Sequence, residues 1–558
     1  MMGLEEIIYK YALINAVKHK GKAMEKAVIG AVMSNEPQLR KKAQKVLEET
    51  KNIVEKVNKL TPREQEEELK RLGIKVEEKR GAEKKKKELP PLPNIKEKVI
   101  LRFAPNPSGP LHIGHARAAI LNHEYAKKYN GKLILRMEDT DPRRVDPQAY
   151  KMIQEDLEWL GIKWDQLIIQ SDRIPTYYDH AKKLLQEGGG YICTCKPERF
   201  KKLKDESKPC PCRNLPKEEN LKRWEKMRGM SEGEAVLRVK TDLKHRNPAI
   251  RDWVGLRIVE EAHPRTGRKY RIYPTMNFAV TIDDHLLGIT HVLRGKDHIT
   301  NTEKQKYLYN HFNWEPPTFI HYGRLHMDNI QLSTSKTRKG IQEGTYKGWD
   351  DPRLGTIRAI KRRGIQAQAI REAMIEIGAK IADSTLSWEK IYGLNKNIVD
   401  EIADRYFFVS DPIPFKIRNL PEDLKATIKR PLHPDHPERG YRQIPFNGRV
   451  YIQKEDLKGA KLLRLVDAVN VKIKNKDLEY HSSSLKEARR HNARIIHWVP
   501  IEGSIPANVI MPSTKIIEGL IEPDAKKLKT DQLVQLERFG FARVDKTNKK
   551  IIFYYTHK

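Results

Sequence analysis

The sequence predicts a multidomain chain, α/β in its middle and all-β towards its C-terminal end, preceded by a helical appendage. Three observations carry this expectation. The 558 residues make three to five domains at about 150 residues each. Strand-like and helix-like stretches alternate between 97 and 162 and again from Tyr273 to about Gly344. From about 405 onward only short apolar runs between turns remain.

Residues 1–73 read as helices, because Leu4, Ile7, Ile8, Tyr11 and Ile14 recur at helical spacing, as do Leu39, Ala43, Val46, Leu47, Val54 and Val57. A third, short helix starts at Thr61, with Pro62 first in line, Glu64 completing a capping box and Gly73 as the stop. The charged run 77–88 and PPLP at 90–93 read as a solvated linker. EKVILRFA (97–104) is strand-like, PNPSGP (105–110) forbids regular structure, and LHIGHARAAILNHEYAKKY (111–129) is an amphipathic helix. KLILRMED (132–139) and YKMIQEDLEWLGI (150–162) repeat the pattern. Such alternation builds a parallel sheet covered by helices. Residues 191–271 break it with a cysteine cluster and mixed short elements, as an inserted domain would, and 352–400 again reads as helices. RVYI (449–452), VNVKIKN (469–475), RIIHWV (494–499) and KIIFYY (550–555) have the texture of barrels.

Lys and Arg number 107 against 74 Asp and Glu, a net +33. That excess points to an anionic partner, nucleic acid first. Residues 1–100 hold 24 basic and 16 acidic residues, close to a proportional share, so the charge is spread over folded surface rather than held in an arm. No run reaches the roughly 18 apolar residues of a membrane span, and the first residues lack a signal-peptide core. With 38% hydrophobic residues the chain is not wholesale disordered. The four cysteines, Cys193, Cys195, Cys210 and Cys212, lie together instead of being scattered as a disulfide framework would be. The expectation is a cytoplasmic protein with no membrane partner.

Three constellations carry chemistry. In PNPSGPLHIGH (105–115) a strand ends, a Pro/Gly loop turns and a helix begins, so free backbone N–H groups and the helix dipole face outward and attract phosphate. His112 and His115, three apart on one face, stand where charge builds up on phosphate in a transition state. Gly114 between them removes a side chain, so that a flat ligand such as adenine can approach the backbone. LSTSK (332–336) adds the Ser333 and Ser335 hydroxyls and the mobile charge of Lys336, suited to phosphate. The cysteines read CTC-x14-CPC. Two C-x-C arms suit tetrahedral Zn²⁺ with no open position and hence a structural role; reduced, metal-free thiols are the alternative.

With HIGH at 112–115 and LSTSK as a KMSKS-type loop, the chain resembles the class I aminoacyl-tRNA synthetases. RFAPNPSGPLHIGHARAAILN (102–122), RMEDTDPRR (136–144), YPTMNFAVTIDDHLLGITHVLRGKDH (273–298) and GWDDPRLGTIRAIKRRG (348–364) are similar to the glutamyl/glutaminyl branch, continuously from about 95 to 400. The all-β region is similar to archaeal and eukaryotic members and unlike the helical anticodon domain of bacterial glutamyl enzymes. The resemblance implies a Rossmann-type catalytic domain in two halves (91–190 and 272–345) around an acceptor-stem-binding insertion (191–271). It further implies a helical stem-contact region (346–404) and anticodon-binding β-barrels (405–558), with 1–90 as the helical appendage and linker. Residues 1–90 are of a kind that contacts tRNA or a partner protein, and the sequence does not choose.

The same resemblance implies ATP with Mg²⁺ held chiefly by phosphates and water. ATP contacts fall on Pro105, Gly109, His112, Gly114, His115, Ser333, Ser335 and Lys336, with Asp297 near the adenosine; His112, His115 and Lys336 are the catalytic set. The amino-acid pocket takes in Arg102, Ala104, Glu138 for the α-ammonium, and Met276 where many relatives have a tyrosine. Arg294 matches the position where glutamyl enzymes place an arginine against the γ-carboxylate and glutaminyl enzymes a small uncharged residue. A buried guanidinium without its carboxylate is left unpaired, so glutamine should bind far worse. Related enzymes carry zinc in the same insertion.

The expectation is therefore a glutamyl-type enzyme of the archaeal kind. It would activate L-glutamate and charge tRNA-Glu and also tRNA-Gln. The alternatives are a glutaminyl-tRNA synthetase of the same architecture and a catalytically inactive tRNA-binding scaffold. Basic segments KRRG (361–364), HPERGYR (436–442) and KEARRHNAR (486–494) are candidate RNA contacts.

Overall fold

The computed structural model describes residues 3–18, 21–36, 38–39, 43–72, 88–96, 98–328, 330, 332–474 and 477–558. The chain divides into two units between residues 87 and 88. The first contains α1 (Leu4–Lys18), α2 (Glu25–Asn35), α3 (Ala43–Lys59) and α4 (Pro62–Arg71). The capping box forms as the sequence predicts: Thr61 Oγ1 accepts from the Glu64 N–H (3.3 Å) and Glu64 Oε2 accepts from the Thr61 N–H (2.7 Å). Val46, Ile53, Val54 and Val57 of α3 bury against Ile8 and Leu13 of α1 and Val28 and Val32 of α2. Two expectations change. The described residues form four helices rather than three, since VIGAVM in α2 shows no clear polar face and its cap, Met24, makes no side-chain hydrogen bond. Leu39 stands outside α3, and Leu47 is 53% exposed, one position round the helix from buried Val46. Gly73 and the run 77–87 lie outside the described residues.

In the second unit β1 (Ile100–Phe103), β2 (Lys132–Met137) and β3 (Gln166–Ile169) pair in parallel through the crossovers α5 (Ile113–Lys128) and α6 (Ala149–Trp159). α7 (Ile174–Gln186) leads into an antiparallel sheet of β4 (Gly190–Cys193), β5 (Val236–Val239), β6 (Val254–Ile258) and β7 (Ile272–Pro274). Between β4 and β5 run α8 (Pro197–Asp205) and α9 (Lys217–Met227). This sheet shares its core with its neighbours: Leu237 and Leu256 pack with Tyr177 of α7, Phe278 of α10 (Met276–Leu286) and Leu308 of α11 (Ile299–His311).

α11 joins β8 (His291–Gly295) to its parallel partner β9 (Thr318–Tyr322). β8 runs beside β1, where the Thr290 N–H donates to Ile100 O (3.0 Å) and the Ile100 N–H to Thr290 Oγ1 (3.0 Å). The order is thus β3-β2-β1-β8-β9, and the winding reverses between β1 and β8. Open α/β sheets bind ligands at such a switch point, beyond the carboxyl ends of the strands.

A short parallel pair, β10 (Leu325–His326) and β11 (Ser384–Thr385), follows, with α12 (Thr334–Gln342), α13 (Ile357–Arg362), α14 (Ala367–Ile377) and α15 (Trp388–Ile402). α13 joins two regions. At its start the Ile113 N–H donates to Gly355 O and the Ile357 N–H to Leu111 O (both 2.9 Å). Beyond its end Gly364, with φ +84°, leaves room for Thr556, whose Oγ1 lies 2.7 Å from where a Cβ would sit and donates to Arg363 O (2.6 Å).

From Asp404 on, the described strands form two seven-stranded sheets and a two-stranded hairpin, around cores that include Val450, Leu463 and Trp498 in one and Val509, Val534 and Phe553 in the other. The run 494–499 is not one strand. Arg494–Ile496 pairs with 463–465, whereas Val499–Pro500 pairs with 450–451. Trp498 turns between them, its indole buried and its Nε1–H donated to Val466 O (3.0 Å). No described helix is long and apolar enough to cross a membrane.

Candidate active site

The loop leaving β1 is fixed by close packing. Gly109 has φ +150°, and a Cβ there would lie 2.6 Å from Thr334 Cγ2 and 3.1 Å from the Trp349 ring. The Leu111 N–H donates to buried Asp156 Oδ2 (2.8 Å). α5 then starts with a cap made of imidazoles: His112 Nδ1 accepts from the Gly114 N–H (3.1 Å) and His115 Nδ1 from the His112 N–H (3.3 Å). The two rings stack 3.7 Å apart at 23°. Burial, reinforced by His115, holds the His112 pKa well below the usual value, and burial brings His115 down to about 4. Both rings are therefore neutral near pH 7, and with Nδ1 accepting, each keeps its proton on Nε2, a ready donor. At Gly114 a Cβ would sit 2.9 Å from the His112 ring, so the glycine makes room for the capping imidazole.

A cavity of about 430 Å³ lies beyond this cap, lined among others by Pro105, Gly109, His112 and His115 and by Ser335, Arg338 and Lys339 of α12. Arg338 binds Ser108 O and Asp146 Oδ2 (2.9 Å), tying α12 to the loop. Lys336 is exposed and Ser333 and Lys336 do not line the cavity; Ser333 Oγ instead caps α12 by accepting from the Lys336 N–H (3.5 Å). Helical geometry explains this, since 335, 338, 339 and 342 share a face and 336 points about 100° away. Arg338 and Lys339 went unpredicted because the motif was read as a loop, not as the first turn of a helix. Asp297 is also exposed, lines neither cavity described here, and faces His298 (3.6 Å). Gly114 does not line this cavity either.

The second cavity, about 570 Å³, opens at the switch point and shares Pro105, Asn106 and His115 with the first. Arg102, Ala104, Glu138, Met276 and Arg294 all line it. A further residue that sequence reasoning missed is Asp284. It is buried on α10, 2.7 Å from Arg136 Nη1 and 3.4 Å from Arg102 Nε, while Arg136 Nη2 reaches Glu138 Oε1 (3.0 Å). Burial opposes its charge, but Arg136 and Arg102 win and hold its pKa below the usual range. Glu138 is pushed up by burial against the pull of the same arginines. Arg294 is 8% exposed. Burial first, then Arg102, lowers its pKa to about 10. Among the described residues no carboxylate forms an ion pair with it.

A family model for the catalytic domain of class I tRNA synthetases (E and Q) matches residues 98–401. Two models for the anticodon-binding domain of these synthetases match 403–489 and 495–545. The chain belongs to this family. It is similar to curated relatives named glutamate–tRNA ligase. That of Methanothermobacter marburgensis is 61% identical over 557 residues, that of Methanocaldococcus jannaschii 50% over 560, and that of Pyrococcus furiosus 50% over 578. Each alignment covers 100% of both chains.

In this synthetase the four cysteines converge, with all Sγ atoms within 4.8 Å of one another. Cys193 and Cys210 are 3.9 Å apart and Cys195 and Cys212 3.8 Å, with no disulfide. Four zinc–thiolate bonds of about 2.3 Å in a tetrahedron require sulfur–sulfur edges of about 3.8 Å, so the donor set fits Zn²⁺. Arg223 Nη1 lies 3.5 Å from Cys212 Sγ, a charge suited to a thiolate. Several basic candidates for RNA contact have partners within the fold. Arg442 is fully buried between Glu522 (2.6 Å) and Glu537, Arg362 pairs with Asp350 (2.8 Å) and Asp545 (3.2 Å), and Arg363 is buried beside Trp388 and Tyr392. The burial of Arg442 and Arg363 cannot be seen in a basic run, since Glu522, Glu537, Trp388 and Tyr392 stand tens of residues away.

Proposed function

We propose that this chain is a glutamate–tRNA ligase that activates L-glutamate with ATP and transfers it to the terminal adenosine of tRNA-Glu and also of tRNA-Gln. The observation that carries the amino acid is Arg294, a buried cation without an anionic partner. Arg102, Arg136 and Arg294 lie against Glu138 and Asp284, while Asp283, which also acts on Arg136, is paired with Arg173 (2.7 Å); the first five groups carry one positive charge in excess. L-glutamate brings one net negative charge and glutamine brings none. In this reading Glu138 accepts the α-ammonium, Arg294 takes the γ-carboxylate, and the α-carboxylate faces the wall shared by the two cavities. There its oxygen attacks the α-phosphorus of ATP and pyrophosphate leaves. The 2′-hydroxyl of the tRNA then attacks the carbonyl carbon of the adenylate and AMP leaves.

His112 and His115 donate their Nε2–H groups to the phosphates, Arg338 and Lys339 supply charge, and Lys336 joins them when the first turn of α12 shifts towards the cavity. Catalysis is positioning and electrostatics, so no covalent nucleophile is required. Among the described residues no Asp or Glu lines the phosphate cavity; this supports Mg²⁺ held by ATP and water rather than by the protein. Cys193, Cys195, Cys210 and Cys212 hold a structural Zn²⁺, keeping the 191–271 insertion in shape for the acceptor stem. The barrels of 405–558 read the anticodon, and relaxed tRNA choice rests on the resemblance to archaeal enzymes.

Aminoacylation of purified tRNA-Glu and tRNA-Gln transcripts with labelled glutamate and, separately, glutamine tests the reading. Glutamate should be attached to both, and glutamine at least ~1,000-fold less efficiently. Charging of tRNA-Glu alone would reject relaxed tRNA choice, and preferential use of glutamine would reject the role of Arg294.

A further inference from the structure

A buried guanidinium demands a carboxylate from its ligand only if the protein has not already supplied one. Among the described residues, the hydrogen-bond and ring partners of the Arg294 guanidinium are uncharged, and Arg102 adds a like charge from a distance. Nη2 donates to Thr302 Oγ1 (2.6 Å) and to Gln305 Oε1 (2.8 Å), and the Phe319 ring lies 5.0 Å from the guanidinium carbon. Thr302 and Gln305 are three apart on α11, so one helix face presents both acceptors. Gln305 is fully buried, and its Nε2 donates to Asn277 Oδ1 (3.2 Å). Thr302 Oγ1 also meets His321 Nε2 (2.8 Å), a ring that burial and Arg294 keep neutral, with a pKa of about 4. Arg294 Nε has no hydrogen-bond partner. The anions that act on Arg294 from a distance, Asp284 and Glu138, are committed to Arg136 and Arg102.

We propose that Gln305 is a positioning residue that sets amino-acid specificity: it holds Arg294 through a neutral amide oxygen and so reserves the positive charge for the substrate's γ-carboxylate. The proposal rests on the glutamate reading above. Its consequence is sharp because glutamine and glutamate side chains have the same length and shape. A carboxylate at 305 would meet Arg294 at the distance the amide now does and cancel the charge internally. Asn277 can turn its amide over and donate to the second oxygen; this gives up its bond to Asn301 Oδ1 (3.1 Å), which half-buried Asn301 restores by turning over in turn and accepting from His298 Nδ1 as the other tautomer. The pocket would then carry no surplus charge, and a γ-carboxylate would face an arginine already paired beside a second anion.

The test is steady-state aminoacylation of tRNA-Glu by full-length wild type, Gln305→Glu and Gln305→Met, each with labelled glutamate and labelled glutamine. In Gln305→Glu, kcat/KM for glutamate should fall roughly 100-fold or more, chiefly through KM, and the glutamine-to-glutamate ratio should rise by at least as much. KM for ATP should stay within about twofold. Gln305→Met removes the acceptor without adding charge; it should raise KM for glutamate roughly tenfold and gain nothing for glutamine. A Gln305→Glu enzyme that keeps the wild-type preference overturns the proposal, and so does an equal fall for both amino acids, which is what structural damage produces. Should Gln305→Glu not fold, an unchanged KM for glutamate in Gln305→Met overturns it as well. A wild type that itself prefers glutamine would instead overturn the reading of Arg294, whatever the variants do.

Discussion

His112 and His115 show how one residue can answer two demands. Each ring spends Nδ1 on a backbone N–H at the start of α5 and keeps Nε2–H for a ligand. Burial makes the neutral form the stable one, and this has a pH signature. The pKa of His115 is about 4 in the folded protein and near 6.5 unfolded. Its contribution is therefore complete above pH 6.5 and is lost as pH falls from 6.5 towards 4, by about 3 kcal/mol at the lower end. Asparagine can supply the same acceptor without titrating, so His115→Asn should unfold with a shallower loss of stability between pH 7 and 4.5 than wild type, as read by denaturant titration. Lys336 makes a kinetic prediction at the same scale. It is exposed and outside the cavity, so its charge reaches the phosphates only after the first turn of α12 moves. Lys336→Ala should slow adenylate formation roughly 10- to 100-fold while leaving the KM for glutamate nearly unchanged. Equal effects on both in rapid-quench and steady-state assays would make it an ordinary binding contact.

At the scale of elements, what the sequence disclosed depended on how local the cause was. The Thr61 capping box, the strand–loop–helix entry to α5 and the alternation of 97–162 are decided by neighbours in sequence, and all three form. Asp284, Gln305 and the partners of Arg442 are decided by chain segments tens of residues apart, and no local pattern announces them. α12 failed for a different reason: its first turn was read as a loop, which hid Arg338 and Lys339 on the cavity face. The cysteine cluster is a local case with a long-range setting. It has a small core of its own, with Tyr191 and Phe200, next to a sheet that packs on α7 and α10. Removal of one ligand should therefore unravel the cysteine arms and spare the sheet. Purified protein should contain about one zinc. Cys210→Ser should lose it by metal analysis and show faster hydrogen exchange in 193–212 with near-normal protection of β5 and β6. Metal-free wild type, carefully handled, would reject the zinc site.

The whole molecule carries a net +33, and its cations fall into two populations that salt should separate. Arg102, Arg136, Arg294 and Arg442 are buried and are screened little by mobile ions. So are Arg117, Arg238, Arg251, Arg363 and Arg464, whereas the exposed lysines and arginines lie on surface that a polyanion can cover. Binding of tRNA releases counterions for each phosphate neutralised, so affinity should fall steeply with ionic strength. If about six phosphates are engaged, raising salt from 50 to 200 mM should weaken tRNA binding roughly 1,000-fold. Binding of glutamate depends on charges inside the fold and should change by less than about threefold over the same range. Measuring KM for tRNA and for glutamate in one salt series checks both at once. A flat tRNA series would mean that the surface charge does not meet phosphate. A glutamate series as steep as that for tRNA would mean that the Arg294 pocket is open to solvent, contrary to its burial.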